Sequence, residues 1–72
     1  MDKITIKTEF IKLNQLLKWA GIADTGAHAN QMIKNGLVKV NGELETRRGK
    51  KIYPGDRILL DDGYEFLVVR EG

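Results

Sequence analysis

Between Val38 and Asp56 the chain reads VKVNGELETRRGKKIYPGD, and two turns with strict backbone requirements bracket this run. Asn41-Gly42 supplies the positive φ angles that a two-residue hairpin demands. Tyr53-Pro54-Gly55-Asp56 sets the second turn, Pro fixing φ and Gly tolerating φ above zero. Ahead of the first turn, Val38 and Val40 alternate with Lys39, so a short strand presents both valines to one face and the ammonium to the other. The backbone must therefore reverse twice within 19 residues.

What lies between the turns is chemically one-sided. Thr46-Arg47-Arg48-Gly49-Lys50-Lys51 sets four cations in five positions around a glycine. Four unpaired cations this close repel one another, and a polyanion backbone relieves them. Arg matches phosphate oxygens in a two-pronged way, while Lys acts as a mobile point charge. A charge run alone is equally well explained as a solvated loop kept basic for solubility, so the rest of the chain has to decide.

At 72 residues and 8.1 kDa the chain is expected to form one domain, residues 1–72, too small to enclose a deep active site. It has no cysteine, so packing alone must hold the fold, and a reducing cytoplasm is the expected location. No apolar run is long enough to span a membrane, and Met1–Lys7 lacks a signal-peptide core. The formal charge of +2 hides an asymmetry. Residues 1–36 hold five Lys or Arg against three Asp or Glu, residues 37–51 five against two, and residues 52–72 two against five. A basic face and an acidic face follow, and such a field would orient an approaching polyanion.

Lys3-Ile4-Thr5-Ile6-Lys7 alternates as a half-buried strand does. Leu13, Leu16, Leu17 and Ala20 recur at helical spacing, with Gly21 placed for a left-handed cap. A second helix, capped by Asp24 or Thr25, carries Ala29, Met32 and Ile33 as its apolar stripe and stops at Asn35-Gly36. Arg57–Leu60 and Tyr64–Arg70 read as strands around the Asp61-Asp62-Gly63 turn. The order predicts an α+β domain: two short packed helices against a small antiparallel sheet.

In sequence order, Lys12-Leu13-Asn14, Thr25-Gly26-Ala27-His28-Ala29, Met32-Ile33, Gly36, Val38-Lys39-Val40-Asn41-Gly42 and Pro54-Gly55-Asp56 match one pattern. The chain thereby resembles the RNA-binding domain named after small-subunit ribosomal protein S four, over a core of about residues 12–56 completed by an N-terminal strand and a C-terminal hairpin. It is most similar to small stand-alone bacterial members of the YaaA type, which share the Val-Asn-Gly-x-x-Glu-Thr-Arg-Arg-Gly pattern. The resemblance implies the alpha-L-like α+β fold and a monomeric, non-enzymatic binder of structured RNA, such as ribosomal RNA or a ribosomal particle, with a role in ribosome assembly. It departs at one position: the Arg that follows the Ser at the family's second helix is Gly26 here. The grip then shifts towards the loop.

The expected RNA-binding residues are Lys12, Thr25, Gly26, His28, Arg47, Arg48, Lys50 and Lys51. A helix starting near Thr25 offers free N–H groups and a positive dipole end to a phosphate, and His28 in its first turn is a candidate donor. If about four phosphates are neutralised, affinity falls roughly hundredfold between about 50 and 200 mM salt. Lys34 reads as a solvated helix residue, Trp19 as the edge of a small core, and Phe10, Tyr53, Tyr64 and Phe66 as core or strand residues. Two other readings stand beside this one: a DNA-binding helix-turn-helix-like module, whose second helix would read with His28, Asn30, Gln31 and Lys34, and a protein-interaction module using Asp61, Asp62 and Glu65. One His, no Cys and acidic residues concentrated in turns point to no catalytic residue, no metal site, no cofactor and no small-molecule substrate.

Overall fold

The computed structural model describes residues 1–72. The chain forms β1 (Asp2–Ile6), β2 (Ile11–Lys12), α1 (Leu13–Trp19), α2 (Gly26–Lys34), β3 (Val38–Val40), β4 (Glu43–Leu44), β5 (Lys51–Ile52), β6 (Arg57–Leu60) and β7 (Glu65–Arg70). Five strands make one sheet in the order β1-β7-β6-β3-β4, while β2 and β5 pair as a separate two-stranded ribbon.

The period-2 patterns decide which face is covered. Val38 and Val40 of β3, Ile58 and Leu60 of β6, and Phe66 and Val68 of β7 are buried, with Lys39 and Arg57 turned to solvent. Leu13, Leu16 and Leu17 of α1 and Ala29 and Ile33 of α2 are buried with them in one cluster of 14 residues, against which Met32 and Ala20 are partly buried. Asn41 (φ 53°) and Gly42 (φ 87°) make the two-residue turn expected between β3 and β4, with Val40 opposite Glu43.

The sheet differs in one respect from the antiparallel arrangement expected. β1 runs parallel to β7, pairing Ile4 with Val68 and Ile6 with Arg70, whereas β3, β4, β6 and β7 pair antiparallel. Hairpins force antiparallel neighbours, but β1 reaches the sheet edge across both helices, and so long a connection permits the parallel direction. The last strand is also one residue shorter than read, since Tyr64 stays in the turn and donates its N–H to Asp62 Oδ1 at 2.9 Å.

Both helices close in the same way. After α1, Gly21 takes φ 76° and donates to Lys18 O while Ile22 donates to Leu17 O; after α2, Gly36 takes φ 75° and donates to Ile33 O while Leu37 donates to Met32 O. These paired bonds satisfy carbonyls that a helix end leaves free, and the left-handed residue they need explains a glycine at each position. No helix is long and apolar enough to cross a membrane.

Candidate nucleic-acid interface

The basic loop is seated by its backbone. Lys50 O accepts from Leu13 N–H at 2.9 Å and Arg48 O accepts from Asn14 N–H at 3.0 Å, so loop carbonyls occupy the first donors of α1. Lys12, at the N-cap position, contributes no side-chain cap, and the third donor, Gln15 N–H, goes to Asn14 Oδ1 at 2.9 Å. Carbonyl dipoles set against the positive end of a helix are favourable, which fixes the loop without using its cations. The β2–β5 pairing adds a second tether and places Lys12 directly across from Lys51. The backbone around Lys12, Arg48, Lys50 and Lys51 is thereby held by peptide groups, with no salt bridge to any of the four side chains.

Arg47 is different, and corrects the expectation of four unpaired cations. Its Nε lies 3.0 Å from Glu45 Oε2 and its Nη2 3.1 Å from Glu45 Oε1, while its own backbone N–H donates to Oε2 at 3.0 Å. Glu45 is the one buried charged residue, and hydrogen bonding from the Arg47 side chain holds its carboxyl below the usual carboxylate range against the opposing effect of burial. The same partner raises the Arg47 guanidinium. Arg47 is thus paired within the protein, although its guanidinium remains exposed.

The start of α2 is built from side chains. Of the two candidate caps, Thr25 is the one used: its Oγ1 accepts from His28 N–H at 3.0 Å. His28 Nδ1 in turn accepts from Asp24 N–H at 3.3 Å, a reciprocal arrangement like that of a capping box. The imidazole expected to face a phosphate therefore serves the cap through Nδ1 and has only Nε2 left to donate. Gly26 and Ala27 N–H groups donate to no protein group, and at Gly26 an added Cβ would meet nothing within 4 Å.

Sequence reasoning missed the residue that connects these two regions. Asn14 donates from Nδ2 to Asn30 Oδ1 at 3.0 Å, tying the start of α1 to the second turn of α2. Gly26 lies one turn before Asn30, on the same helix face and about 6 Å along the axis. The basic loop and α2 are linked through Asn14, whose N–H holds Arg48 O and whose Nδ2 holds Asn30 Oδ1. Asn30, a candidate DNA reader, is committed to this link.

The aromatic residues also depart from the reading. Phe66 is fully buried, but Tyr53 is 44% exposed and Trp19 59% exposed. Trp19 Nε1 donates to Thr5 O at 2.9 Å, fastening β1 to α1 while most of its ring stays in solvent. Tyr64 is held by a 2.8 Å bond from its hydroxyl to Asp2 Oδ2, which raises its pKa.

Two helices over one face of a mixed sheet, with a basic loop seated on the start of the first helix, is the α+β arrangement of S4-type domains. The chain belongs to the S4 domain family, whose model matches residues 4–69. Over 68 residues it is 39% identical to the probable ribosome maturation protein RlbA of Bacillus subtilis, spanning 94% of this chain and 96% of that one. It superposes with a TM-score of 0.71 and 36% identity on the solution structure of YbcJ from E. coli, which has an ALFAL motif involved in RNA-binding, over 96% of this chain and 87% of the other. A tyrosine–tRNA ligase of Moorella thermoacetica is 32% identical over 65 residues, and that likeness spans only 16% of the ligase.

Proposed function

We propose that this protein binds structured RNA, ribosomal RNA or a ribosomal particle, through its phosphate backbone and acts in ribosome maturation. Lys12, Arg48, Lys50 and Lys51 form the main grip, and Thr25, Gly26 and His28 at the start of α2 form a second contact. The observation that carries the reading is the docking of the Arg48 and Lys50 carbonyls on the first donors of α1. It holds the loop in shape through peptide groups and leaves its cations for a ligand. The names of RlbA and YbcJ point the same way. Arg47 acts chiefly as the brace that Glu45 holds, with a share of the phosphate contact through its exposed edge.

In this reading the protein is a monomeric cytoplasmic binding module and not an enzyme, because its charged groups gather as a rim of cations with no nucleophile and base among them. A-form RNA hides its base edges in a deep groove, so recognition rests on backbone geometry and shape. The test is titration of ribosomal RNA and of length-matched duplex DNA with the wild type and an Arg48→Ala/Lys50→Ala/Lys51→Ala variant across a salt series. The wild type is expected to prefer RNA and to lose roughly hundredfold in affinity between about 50 and 200 mM salt, with the variant's salt dependence shallower by about three phosphate contacts. Equal affinity for DNA, or undiminished RNA binding by a folded variant, overturns the assignment.

A further inference from the structure

Tyr53 stands out among the aromatic side chains for where it is exposed. It lines a recess of ≈ 390 Å³ together with Arg47, Lys50 and Lys51. Its backbone is pinned on both sides: its N–H donates to Asp56 Oδ2 at 2.8 Å, its carbonyl accepts from Asp56 N–H at 3.0 Å, and Pro54 follows. Asp56 is itself held by Asn41 Nδ2 at 3.0 Å. Phe10 supports the ring from the side, with centroids 5.8 Å apart and planes at 44°, and Lys51 Nζ sits 4.9 Å from the Phe10 centroid. A rigid, partly exposed ring beside ammonium groups presents a flat apolar surface next to phosphate-binding charge.

We propose that Tyr53 is a stacking platform for one unpaired base of the bound RNA, whose flanking phosphates lie on Lys50 and Lys51. The proposal rests on the reading of the protein as an RNA binder and adds selectivity for RNA with an unstacked nucleotide over uninterrupted duplex. Three carboxylates, Glu43, Glu45 and Asp56, share the recess with the three cations Arg47, Lys50 and Lys51. Glu45 is committed to Arg47 and Asp56 to Tyr53 and Asn41, which leaves Glu43 as the one carboxylate there without a hydrogen bond. Tyr64 differs in that its hydroxyl is itself engaged, by Asp2 Oδ2. Stacking is sequence-tolerant because every base has a π-face, so the platform selects an unpaired base without selecting its identity.

The test is fluorescence anisotropy with two labelled RNA hairpins of identical stem, one interrupted by a single unpaired adenosine. The wild type is expected to bind the interrupted hairpin about tenfold more tightly, within the range that stacking on an aromatic ring contributes. Tyr53→Ala, with its fold checked by circular dichroism, is expected to lose that preference and bind both hairpins as the wild type binds the uninterrupted one. Tyr53→Phe is expected to keep it. Lys50→Ala/Lys51→Ala is expected to weaken both hairpins alike. Wild-type binding without a preference, or a preference that survives Tyr53→Ala, overturns the platform alone; no binding to either hairpin overturns the RNA-binding reading and the platform with it.

Discussion

The two helices end alike and begin differently. Both close on a left-handed glycine with the same pair of backbone bonds, yet α1 opens on carbonyls from a loop 35 residues or so further along the chain, and α2 opens on its own Thr25 and His28. At α1 the first three donors are all engaged within the protein. At α2 the cap satisfies one donor, and Gly26 and Ala27 N–H groups are left over. Equal secondary structure thus serves two purposes: the first helix start positions the cations, and the second remains open to an anion. The difference follows from what precedes each helix, a strand residue without a capping side chain in one case and a threonine in the other.

Removing what anchors α1 should have the largest effect. Leu13 is fully buried and its N–H holds Lys50 O, so Leu13→Ala creates a cavity directly beneath the loop. The expected loss is about 2–5 kcal/mol, a large part of the stability of a domain this small. Urea unfolding measures it. A loss below about 1 kcal/mol, outside the range for such truncations, would mean that the Leu13 side chain is not the packed core residue its complete burial makes it.

The caps themselves provide a sharper comparison. Thr25→Ala should cost about 1 kcal/mol in the same measurement, because the His28 N–H loses its acceptor. Lys12→Ala, at the equivalent position of α1, should stay within about 0.5 kcal/mol, since no cap depends on its side chain. RNA affinity should rank the two variants the other way, falling more for Lys12→Ala, which removes a cation of the proposed main grip, than for Thr25→Ala. Similar stability losses for the two variants would erase the distinction between the helix starts.

How far the sequence disclosed this arrangement depended on range. Signals contained within a few residues were legible: the Leu13, Leu16 and Leu17 stripe, glycines at both helix ends, the Asn41-Gly42 turn and the alternation in β3. Thr25 was legible as one of two caps because capping is an interaction over three residues. The seating of Lys50 on Leu13, the Asn14–Asn30 link and the parallel pairing of β1 with β7 join distant residues and leave no periodic trace. Glu45 and Arg47 are two residues apart, and even there the pairing was hidden, because charge counting treats neighbours as independent. Tyr53 looked like a strand residue by composition; its exposure follows from the turn made by Pro54, Gly55 and Asp56, which ends the β5 pairing just before it.

Gly26 gives the comparison its finest test. The pattern that the sequence resembles puts Arg at this place; the glycine's φ is not in the left-handed region, and a side chain there has open space. Gly26→Arg should be accommodated without rearrangement. Two effects on the helix oppose each other: replacing glycine favours a helix by up to about 1 kcal/mol, and a cation at the positive end of the dipole disfavours it by about 0.3–1 kcal/mol. Stability is expected to stay nearly unchanged. If the start of α2 faces RNA phosphates, the added guanidinium should raise affinity severalfold and steepen the salt dependence by about one phosphate contact. An affinity gain in low salt that leaves the slope unchanged would place the new cation outside the interface, and the open donors of Gly26 and Ala27 would then have no part in binding.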